Sequence, residues 1–379
     1  MSDKKSDKKR IGVGLIGSGF MGKAHALGFA TASRVFDLPF VVDLAVLAEV
    51  NADLAAKSAR QLGFRRSTCH WRELLDDPEI AIIDITTPNT LHREMALAAL
   101  EAGKFVYCEK PLAPTAGECL EMAEAAEASG LVTQMGFNYL KNPMLALARE
   151  IVSLGEIGEI RTFRGVHAED YMADAQSPWV WRLDPAGGGG ALADIGSHIL
   201  ATARHLVGPI AELICDARTV IDMRPARQGA SERRAVAVDD VARLLVKFAN
   251  GATGSLEASW IATGRKMQHD FEIYGSKGGI VFTQERLNEL RLYYTTDAKG
   301  RRGFRTILAG PEHEPYGAFC VAPGHQLGFN DLKAIEIRDF LMAVAGGPAK
   351  GPDFREGYEV QKLVELAYRS ACEKAWFPV

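Results

Sequence analysis

The first third of the chain alternates between short apolar runs and longer segments in which apolar residues recur at helical spacing. The apolar runs predict buried parallel strands, and they fall at 11–16, 41–48, 80–86, 105–108 and 131–136. The segments 51–62, 91–102 and 116–129 predict helices, because the first begins at a capping Asn51 and the other two end at glycines. Regular alternation of strand and helix is typical of a doubly wound parallel sheet.

From residue 138 onward, apolar and polar residues alternate, which predicts half-buried strands. These strands are predicted at 159–167, 211–221, 241–248, 254–261 and 270–274, and the glycine-rich turn 275–279 predicts a hairpin to 280–282. Helices are predicted at 143–154, 332–344 and 356–374, and the polar segment 224–234 is predicted to be a solvent-exposed loop. We therefore expect a disordered, charged tail at 1–10, a parallel α/β domain at 11–137, and an α+β domain with a mostly antiparallel, open sheet at 138–379.

Composition narrows the class of protein. The net charge of -4 lacks the basic excess that is typical of nucleic-acid binding, and no apolar run reaches the about 18 residues of a membrane span. The six cysteines form no C-x-x-C pair, which favours reduced thiols in the cytoplasm. The basic residues before the first apolar run are similar to the start of a signal peptide, but glycines interrupt the run and Lys23 follows it. We expect a cytoplasmic protein that binds neither nucleic acid nor membrane.

A G-x-G-x-x-G motif stands between the first predicted strand and a further helix predicted at 23–30. Gly17 permits a tight turn, Gly19 lets the backbone approach a pyrophosphate, and Gly22 lets the helix pack closely on the strand. The anion would bind at the helix N-terminus, where N–H groups and the helix dipole favour negative charge. The motif predicts a Rossmann dinucleotide site that includes the intervening Phe20 and Met21.

Glu49 follows the second predicted strand, where a carboxylate accepts hydrogen bonds from the adenosine ribose hydroxyls. Its charge would repel a 2′-phosphate, so the cofactor is predicted to be NAD rather than NADP. The alternative is an ordinary solvated acid at a strand end.

Lys110 follows the buried strand that ends at Cys108, at the edge of the sheet where ligands bind in doubly wound folds. An ammonium group there can donate to a hydroxyl and stabilise its alkoxide. The alternative is a surface lysine paired with Glu109.

Asp194 and His198 follow a run of four glycines and stand four residues apart, on one face of a predicted helix. A carboxylate beside an imidazole raises the basicity of the ring, as a proton-abstracting base requires near neutral pH. The alternative is a capping aspartate and a buried structural histidine. A metal site is not expected, because no third ligand completes a metal-binding spacing.

Tyr171 and Arg182 lie among aromatic and polar residues on either side of this region, and such a mixture suits a polyhydroxylated ligand. Tyr139 and His325 are candidates of the same kind. All four residues suit an ordinary sheet edge equally well.

In combination, these features resemble the Gfo/Idh/MocA family of oxidoreductases, which includes inositol and sugar dehydrogenases. The resemblance covers residues 11–377, and its most specific marks are the glycine turn, Thr87-Pro88-Asn89 with His92, Glu109-Lys110-Pro111, Asp194-x-x-x-His198, Gly275-Ser276-Lys277-Gly278 and Asp353-Phe354-Arg355-Glu356-Gly357.

The resemblance implies a role for each matching residue. Lys110 would hydrogen-bond the reacting hydroxyl, His198 would remove its proton, and Asp194 would orient His198 or the substrate. The cofactor would be held by the glycine turn and Glu49, and further along by Thr87, Pro88, Asn89, His92, Glu109 and Lys110. The substrate would contact Lys110, Asp194 and His198 together with Tyr139, Tyr171, Arg182 and His325. The family also implies a homodimer or homotetramer that pairs through the open sheet.

The sequence departs from the family pattern after His198, where 199–202 carry no aspartate, and after Tyr139, where Leu140 and Lys141 replace an arginine. The first departure argues against an inositol-type hydroxyl contact. The segment 167–182 is similar to the branch that oxidises pyranose-type and anhydro sugars or scyllo-inositol. We therefore expect an NAD-dependent dehydrogenase of a cyclic polyol or sugar. The alternatives are a reductase of a non-sugar substrate and a regulator that binds dinucleotide without chemistry.

Overall fold

The computed structural model describes residues 8–379 and divides them into two compact units. The first unit contains residues 8–141 and 328–358, and the second contains 142–327 and 359–379. This division differs from the predicted boundary at residue 137, because the chain returns to the first unit late in the sequence.

A six-stranded parallel sheet forms the first unit, with strands β1 (Arg10–Ile16), β2 (Val41–Ala48), β3 (Arg66–Thr68), β4 (Ile80–Ile85), β5 (Phe105–Cys108) and β6 (Thr133–Met135). Its helices are α1 (Phe20–Val35), α2 (Ala52–Leu62), α3 (Glu73–Asp76), α4 (His92–Glu101) and α5 (Ala116–Ser129). The strand order is β3-β2-β1-β4-β5-β6, which confirms the Rossmann sheet. The reversal of order beside β1 defines the edge where ligands bind in such sheets.

Local signals explain the helix bounds of this unit. The Asn51 side chain accepts a hydrogen bond from the Leu54 N–H and begins α2. Thr115 and Glu118 form a capping box at the start of α5, and Gly130 ends that helix in the left-handed region.

A nine-stranded sheet forms the second unit, in the order β16-β15-β14-β13-β7-β12-β11-β8-β17. Its strands are β7 (Ile160–Ala168), β8 (Ile210–Arg218), β11 (Val241–Phe248), β12 (Thr253–Ser259), β13 (Gln268–Gly275), β14 (Gly278–Thr283), β15 (Glu289–Tyr294), β16 (Arg305–Leu308) and β17 (Phe377–Pro378), and a separate ladder pairs β9 (Met223–Pro225) with β10 (Arg233–Ala235). The β7–β12 pair is parallel and the other ladders of the nine-stranded sheet are antiparallel. The predicted mostly antiparallel sheet is confirmed.

The helices beyond residue 141 are α6 (Pro143–Ser153), α7 (Ser197–Val207), α8 (Tyr316–Phe319), α9 (Phe329–Val344) and α10 (Phe354–Glu373), and the π-helical segment Leu192–Gly196 leads directly into α7. Helix α9 belongs to the first unit, where it packs on α1. The Lys141 ammonium group donates to Asp339 of α9 at 2.8 Å. None of the helices among residues 8–379 combines the length and the apolar content that crossing a membrane requires.

The structure corrects two expectations. The segment 224–234 is not simply a solvent loop, because its ends form β9 and β10 and Arg224 is fully buried, donating to the carbonyls of Met172 and Asp174. The predicted tail is too long: Lys8 contacts Asp37 and Arg10 begins β1. Residues 1–7 of that predicted tail lie outside the described residues.

Candidate active site

The glycine turn joins β1 to α1 in the first unit. Gly17 has a φ of 95°, and a Cβ at Gly22 would lie 2.2 Å from the Gly17 carbonyl oxygen. Both glycines are therefore required by the packing of the turn itself.

Gly19 differs from them, because a Cβ there would meet no heavy atom of residues 8–379 within 4 Å. It is the N-cap of α1, has no side chain to cap the helix, and is followed by residues 20–23, which include no acid. Backbone N–H groups at such a helix start favour an anion. The cradle at Gly19 thus fits a pyrophosphate, and the adjoining Phe20 ring is 74% exposed.

Glu49 lies against this turn. One carboxylate oxygen accepts from the Ser18 N–H at 2.6 Å and from the Ser18 hydroxyl at 2.7 Å, and the other accepts from the Val50 N–H at 3.0 Å. The structure thus brings the predicted ribose-reading carboxylate next to the glycine turn. Since a carboxylate has about four lone-pair sites, these three contacts leave room for a ribose hydroxyl, and the predicted contact stays a prediction.

His92 joins the loops that follow β4 and β5. It is fully buried, and its ring nitrogens face the carbonyls of Thr87 at 2.9 Å and Pro111 at 3.0 Å. Burial lowers the pKa of His92. This position fixes Pro88 and Asn89 relative to the Lys110-Pro111 segment, whose peptide bond is cis. A direct contact of these residues with the cofactor stays a prediction.

Glu109 lies in a buried charged cluster. Its Oε1 faces His25 Nε2 at 2.8 Å and Lys333 Nζ at 3.1 Å, and its Oε2 accepts from the Lys110 N–H at 3.1 Å. Burial alone would raise the pKa of Glu109, but the charges of Lys333 and His25 outweigh burial and hold it well below its usual range. The Glu109 carboxylate therefore fixes the backbone at Lys110. Its predicted contact with the cofactor stays a prediction.

His25 and Lys333 are fully buried within the same cluster. His25 Nδ1 lies 2.8 Å from Asp84, and Lys333 also donates to Glu336 at 2.7 Å. An imidazole that faces two carboxylates must donate from both nitrogens, so the geometry favours a charged His25. Its two carboxylate partners accordingly raise its pKa, although burial, the largest effect, opposes them. Sequence reasoning missed this cluster, because charged residues on α1, β4, α9 and the loop after β5 give no local signal.

In the second unit, Asp194 accepts hydrogen bonds from two residues that are predicted to contact the substrate. Its Oδ2 accepts from the Tyr171 hydroxyl at 2.9 Å and from Arg182 Nε at 3.1 Å. The Tyr171 ring is 42% exposed, while burial of its hydroxyl against Asp194 raises the pKa of Tyr171 well above its usual range. The structure thus brings Tyr171, Arg182 and Asp194 together, and their contact with substrate stays a prediction.

Asp239 holds the start of the segment that carries Asp194 and His198. Its carboxylate accepts from the Leu192 N–H at 2.9 Å and from the Tyr368 hydroxyl at 2.7 Å. Burial raises the pKa of Asp239 to about 6. The segment itself is π-helical from Leu192, a geometry frequent at functional sites. Sequence reasoning missed Asp239, since nothing in its own neighbourhood marks it.

His198 is 6% exposed and lies in a cluster of three histidines. Its ring centre is 5.4 Å from that of His167 and 6.4 Å from that of His269. His167 and His269 are adjacent because β7 and β13 pair them directly. A candidate base thus stands beside two further imidazoles, which the sequence alone did not reveal.

The remaining two candidates are Tyr139 and His325. Tyr139 is half-buried in the first unit, with its ring 6.2 Å from that of Phe329. His325 is exposed on the loop before α9, and its backbone N–H donates to the Tyr316 hydroxyl at 3.2 Å. Their predicted contacts with substrate stay predictions.

This fold and this glycine turn are typical of a dinucleotide-binding protein, and comparison with known proteins identifies the class as NAD-binding oxidoreductases. Residues 11–137 match the oxidoreductase family with an NAD-binding Rossmann fold, and residues 145–281 match the GFO/IDH/MocA C-terminal domain. The chain belongs to the GFO/IDH/MocA family.

Among its relatives, levoglucosan dehydrogenase of Pseudarthrobacter phenanthrenivorans is 41% identical over 98% of both chains. A solved structure of levoglucosan dehydrogenase in complex with NADH and levoglucosan has a TM-score of 0.94 and 42% identity, and the match covers 98% of this chain and 100% of the other. The 1,5-anhydro-D-fructose reductase of Ensifer adhaerens is 30% identical over 71% of this chain and 74% of its own length.

Proposed function

We propose that the protein is an NAD-dependent dehydrogenase that oxidises a secondary hydroxyl of a pyranose-type sugar or cyclic polyol, with levoglucosan, an anhydro sugar, as the first candidate substrate. The observation that carries the proposal is the full-length similarity to levoglucosan dehydrogenase. The cluster of Asp194, Tyr171 and Arg182 supports it, because a fixed carboxylate beside a hydroxyl and a guanidinium group suits a polyhydroxylated ligand.

The chain's own residues would hold the cofactor at the turn 17–22 and at Glu49, with Pro88 and Asn89 further along. When bound, NAD supplies the acceptor for the hydride that leaves the carbinol carbon. Preference for NAD over NADP follows from the Glu49 carboxylate, whose charge repels a 2′-phosphate.

The proton chemistry belongs to Lys110 and His198. We assign His198 as the base that takes the hydroxyl proton and Lys110 as the donor that stabilises negative charge on the same oxygen. Glu109 fixes the Lys110 backbone through the hydrogen bond to its N–H. Asp239 fixes the helical segment of His198 through the Leu192 N–H.

The 1,5-anhydro-D-fructose reductase relative favours testing the reverse direction as well. Reduction of a ketone would use the same residues, with His198 giving a proton and Lys110 polarising the carbonyl oxygen.

The test is a panel of levoglucosan, 1,5-anhydro sugars, aldoses and inositols with NAD⁺ and NADP⁺, read by NADH absorbance, and the matching ketones with NADH. We expect turnover of levoglucosan with NAD⁺, and losses of about 10²-fold or more in kcat for Lys110→Ala and His198→Ala. NADH binding, followed by fluorescence, should persist in both variants. Binding of NADH without turnover of any substrate would instead favour a sensor, and wild-type kcat in either variant would overturn its assigned role.

A further inference from the structure

Four side chains of the second unit form one continuous hydrogen-bonded chain. The Thr202 hydroxyl lies 2.9 Å from His269 Nε2, His269 Nδ1 lies 3.2 Å from His167 Nδ1, and His167 Nε2 lies 3.1 Å from a Glu169 carboxylate oxygen. Thr202 and His269 are fully buried and His167 is 1% exposed, whereas the Glu169 side chain is 21% exposed. The chain therefore runs from the interior to solvent.

The buried end of this hydrogen-bonded series, Thr202, lies beside His198, the proposed base. Thr202 stands four residues after His198 on α7, so the two side chains are neighbours on one helix face. Around His198, the imidazoles of His167 and His269 come from β7 and β13, and Glu169 follows β7.

The hydrogen bonds fit a single direction of donation. Glu169 as a carboxylate accepts from His167 Nε2–H, which leaves His167 Nδ1 to accept from His269 Nδ1–H in a neutral pair. His269 Nε2 then accepts from the Thr202 hydroxyl. Burial, together with the nearby His167, lowers the pKa of His269 well below its usual range, which fits a neutral ring at this link.

We propose that Thr202, His269, His167 and Glu169 conduct to solvent the proton that His198 removes from the substrate. The inference rests on the proposed role of His198 as the base. In one concerted shift, His198 gives its proton to the Thr202 oxygen and the Thr202 hydroxyl proton moves to His269 Nε2. His269 Nδ1–H moves to His167 Nδ1, and His167 Nε2–H moves to Glu169, which releases it to water. Thr202, His269 and His167 each gain one proton and lose one, so all three end neutral. His198 returns to its basic form, and the proton of each bridging imidazole now lies on the other ring nitrogen.

Return of the bridges to the starting orientation needs rotation of the Thr202 hydroxyl. At each imidazole it also needs exchange with water, in which one nitrogen gains a proton and the other loses one, so no net proton, oxidant or reductant is required. None of the four residues need touch the substrate. They act through His198 and are positioning residues for its proton, so their loss should affect proton release more than substrate binding.

The test compares Thr202→Val, which removes the hydroxyl at nearly constant volume, with Thr202→Ser, which keeps it, and adds Glu169→Gln at the outer end. Asp170→Asn is the matched control, because Asp170 is the next carboxylate along the chain and pairs with Lys266. Steady-state rates are measured at low and high imidazole concentration, in water and in D2O, together with NADH binding.

We expect Thr202→Val and Glu169→Gln to lower kcat by about tenfold at low buffer, less than the about 10²-fold loss expected for removing the base itself. Added imidazole should restore much of that rate, the solvent isotope effect on kcat should rise, and KM and NADH binding should stay near wild type. Thr202→Ser and Asp170→Asn should resemble wild type.

A merely structural role would lower activity or stability without rescue by imidazole, and that result would overturn the proposal. So would wild-type kcat and isotope effect in both Thr202→Val and Glu169→Gln. These outcomes can be measured only with a substrate that the wild-type protein turns over. A wild-type protein silent on every substrate would instead overturn the proposed function, so the two failures are distinguishable.

Discussion

Replacing Gly19 by alanine separates ligand binding from folding within a single motif. A Cβ at this position meets no heavy atom of the described residues within 4 Å, and its φ of -64° is one that alanine adopts freely. The loss of stability should therefore stay near the few tenths of a kcal/mol to about 1 kcal/mol that separate residues at an N-cap. The new methyl group instead occupies the space through which a pyrophosphate would approach the backbone.

The effect on binding follows from the contacts that the methyl group would block. One charge-assisted hydrogen bond from a helix N-terminus contributes about 1.5–3 kcal/mol, so losing one or two of them should raise the Kd for NADH by roughly 10- to 100-fold or more.

Gly22→Ala is the contrasting variant. Its Cβ would lie 2.2 Å from the Gly17 carbonyl oxygen, in a turn whose backbone has to move to admit it. Such overpacking costs about 1–3 kcal/mol of stability. Gly117→Ala is the control, since a Cβ there also meets nothing within 4 Å of residues 8–379, on α5.

The assay is an NADH fluorescence titration beside urea unfolding for the wild type and the three variants. Gly19→Ala should lose affinity with nearly wild-type stability, Gly22→Ala should lose stability, and Gly117→Ala should bind NADH as the wild type does. Wild-type affinity in Gly19→Ala, or a stability loss as large as that of Gly22→Ala, would refute the assignment of the pyrophosphate to this cradle.

Three further predictions concern charged groups. Glu49→Ala should weaken NADH binding and reduce discrimination against NADPH, measured as the ratio of the two Kd values; an unchanged ratio would show that another residue reads the ribose. Lys333→Met should cost about 3–5 kcal/mol of unfolding free energy in urea, because Glu109 and Glu336 would remain as buried carboxylates; wild-type stability would contradict charge compensation in this cluster. Since burial raises the pKa of Asp239 from 3.8 to about 6, the folded state binds this proton more tightly than the unfolded state. The stability that this proton contributes is fully present below about pH 4 and is lost as the pH rises through about 6. The free energy of unfolding should fall by about 3 kcal/mol over this range. Asp239→Asn should lack this component between pH 4 and pH 7, and equal pH dependence in both proteins would contradict it.

Much of the fold could be predicted because its signals are local. Helix α5 was predicted with its observed bounds, since Thr115 and Glu118 mark its start and Gly130 its end. Strand β3 was missed, because three residues are too few to show a period. It is a strand because Arg66 pairs with Val46 of β2.

Residues of the candidate site could be proposed from the sequence to the extent that they lie close together in it. Each candidate has a local signal: the glycine turn has its motif, Lys110 follows a buried strand, and Asp194 and His198 stand four residues apart. His167 and His269 are about a hundred residues apart and meet only through the register of β7 with β13. Arg224 was wrongly predicted to lie in a solvent-exposed loop. Its burial depends on the carbonyls of Met172 and Asp174, about fifty residues away in the sequence.

We propose that Lys110 and His198 act on one oxygen atom of the substrate. The most direct measurement is a crystal structure of the protein with NADH and a sugar that it turns over. We expect Lys110 Nζ and a ring nitrogen of His198 both to lie within hydrogen-bond distance of the same substrate hydroxyl. Two nitrogens bound to different hydroxyls, or one directed away from the sugar, would contradict it.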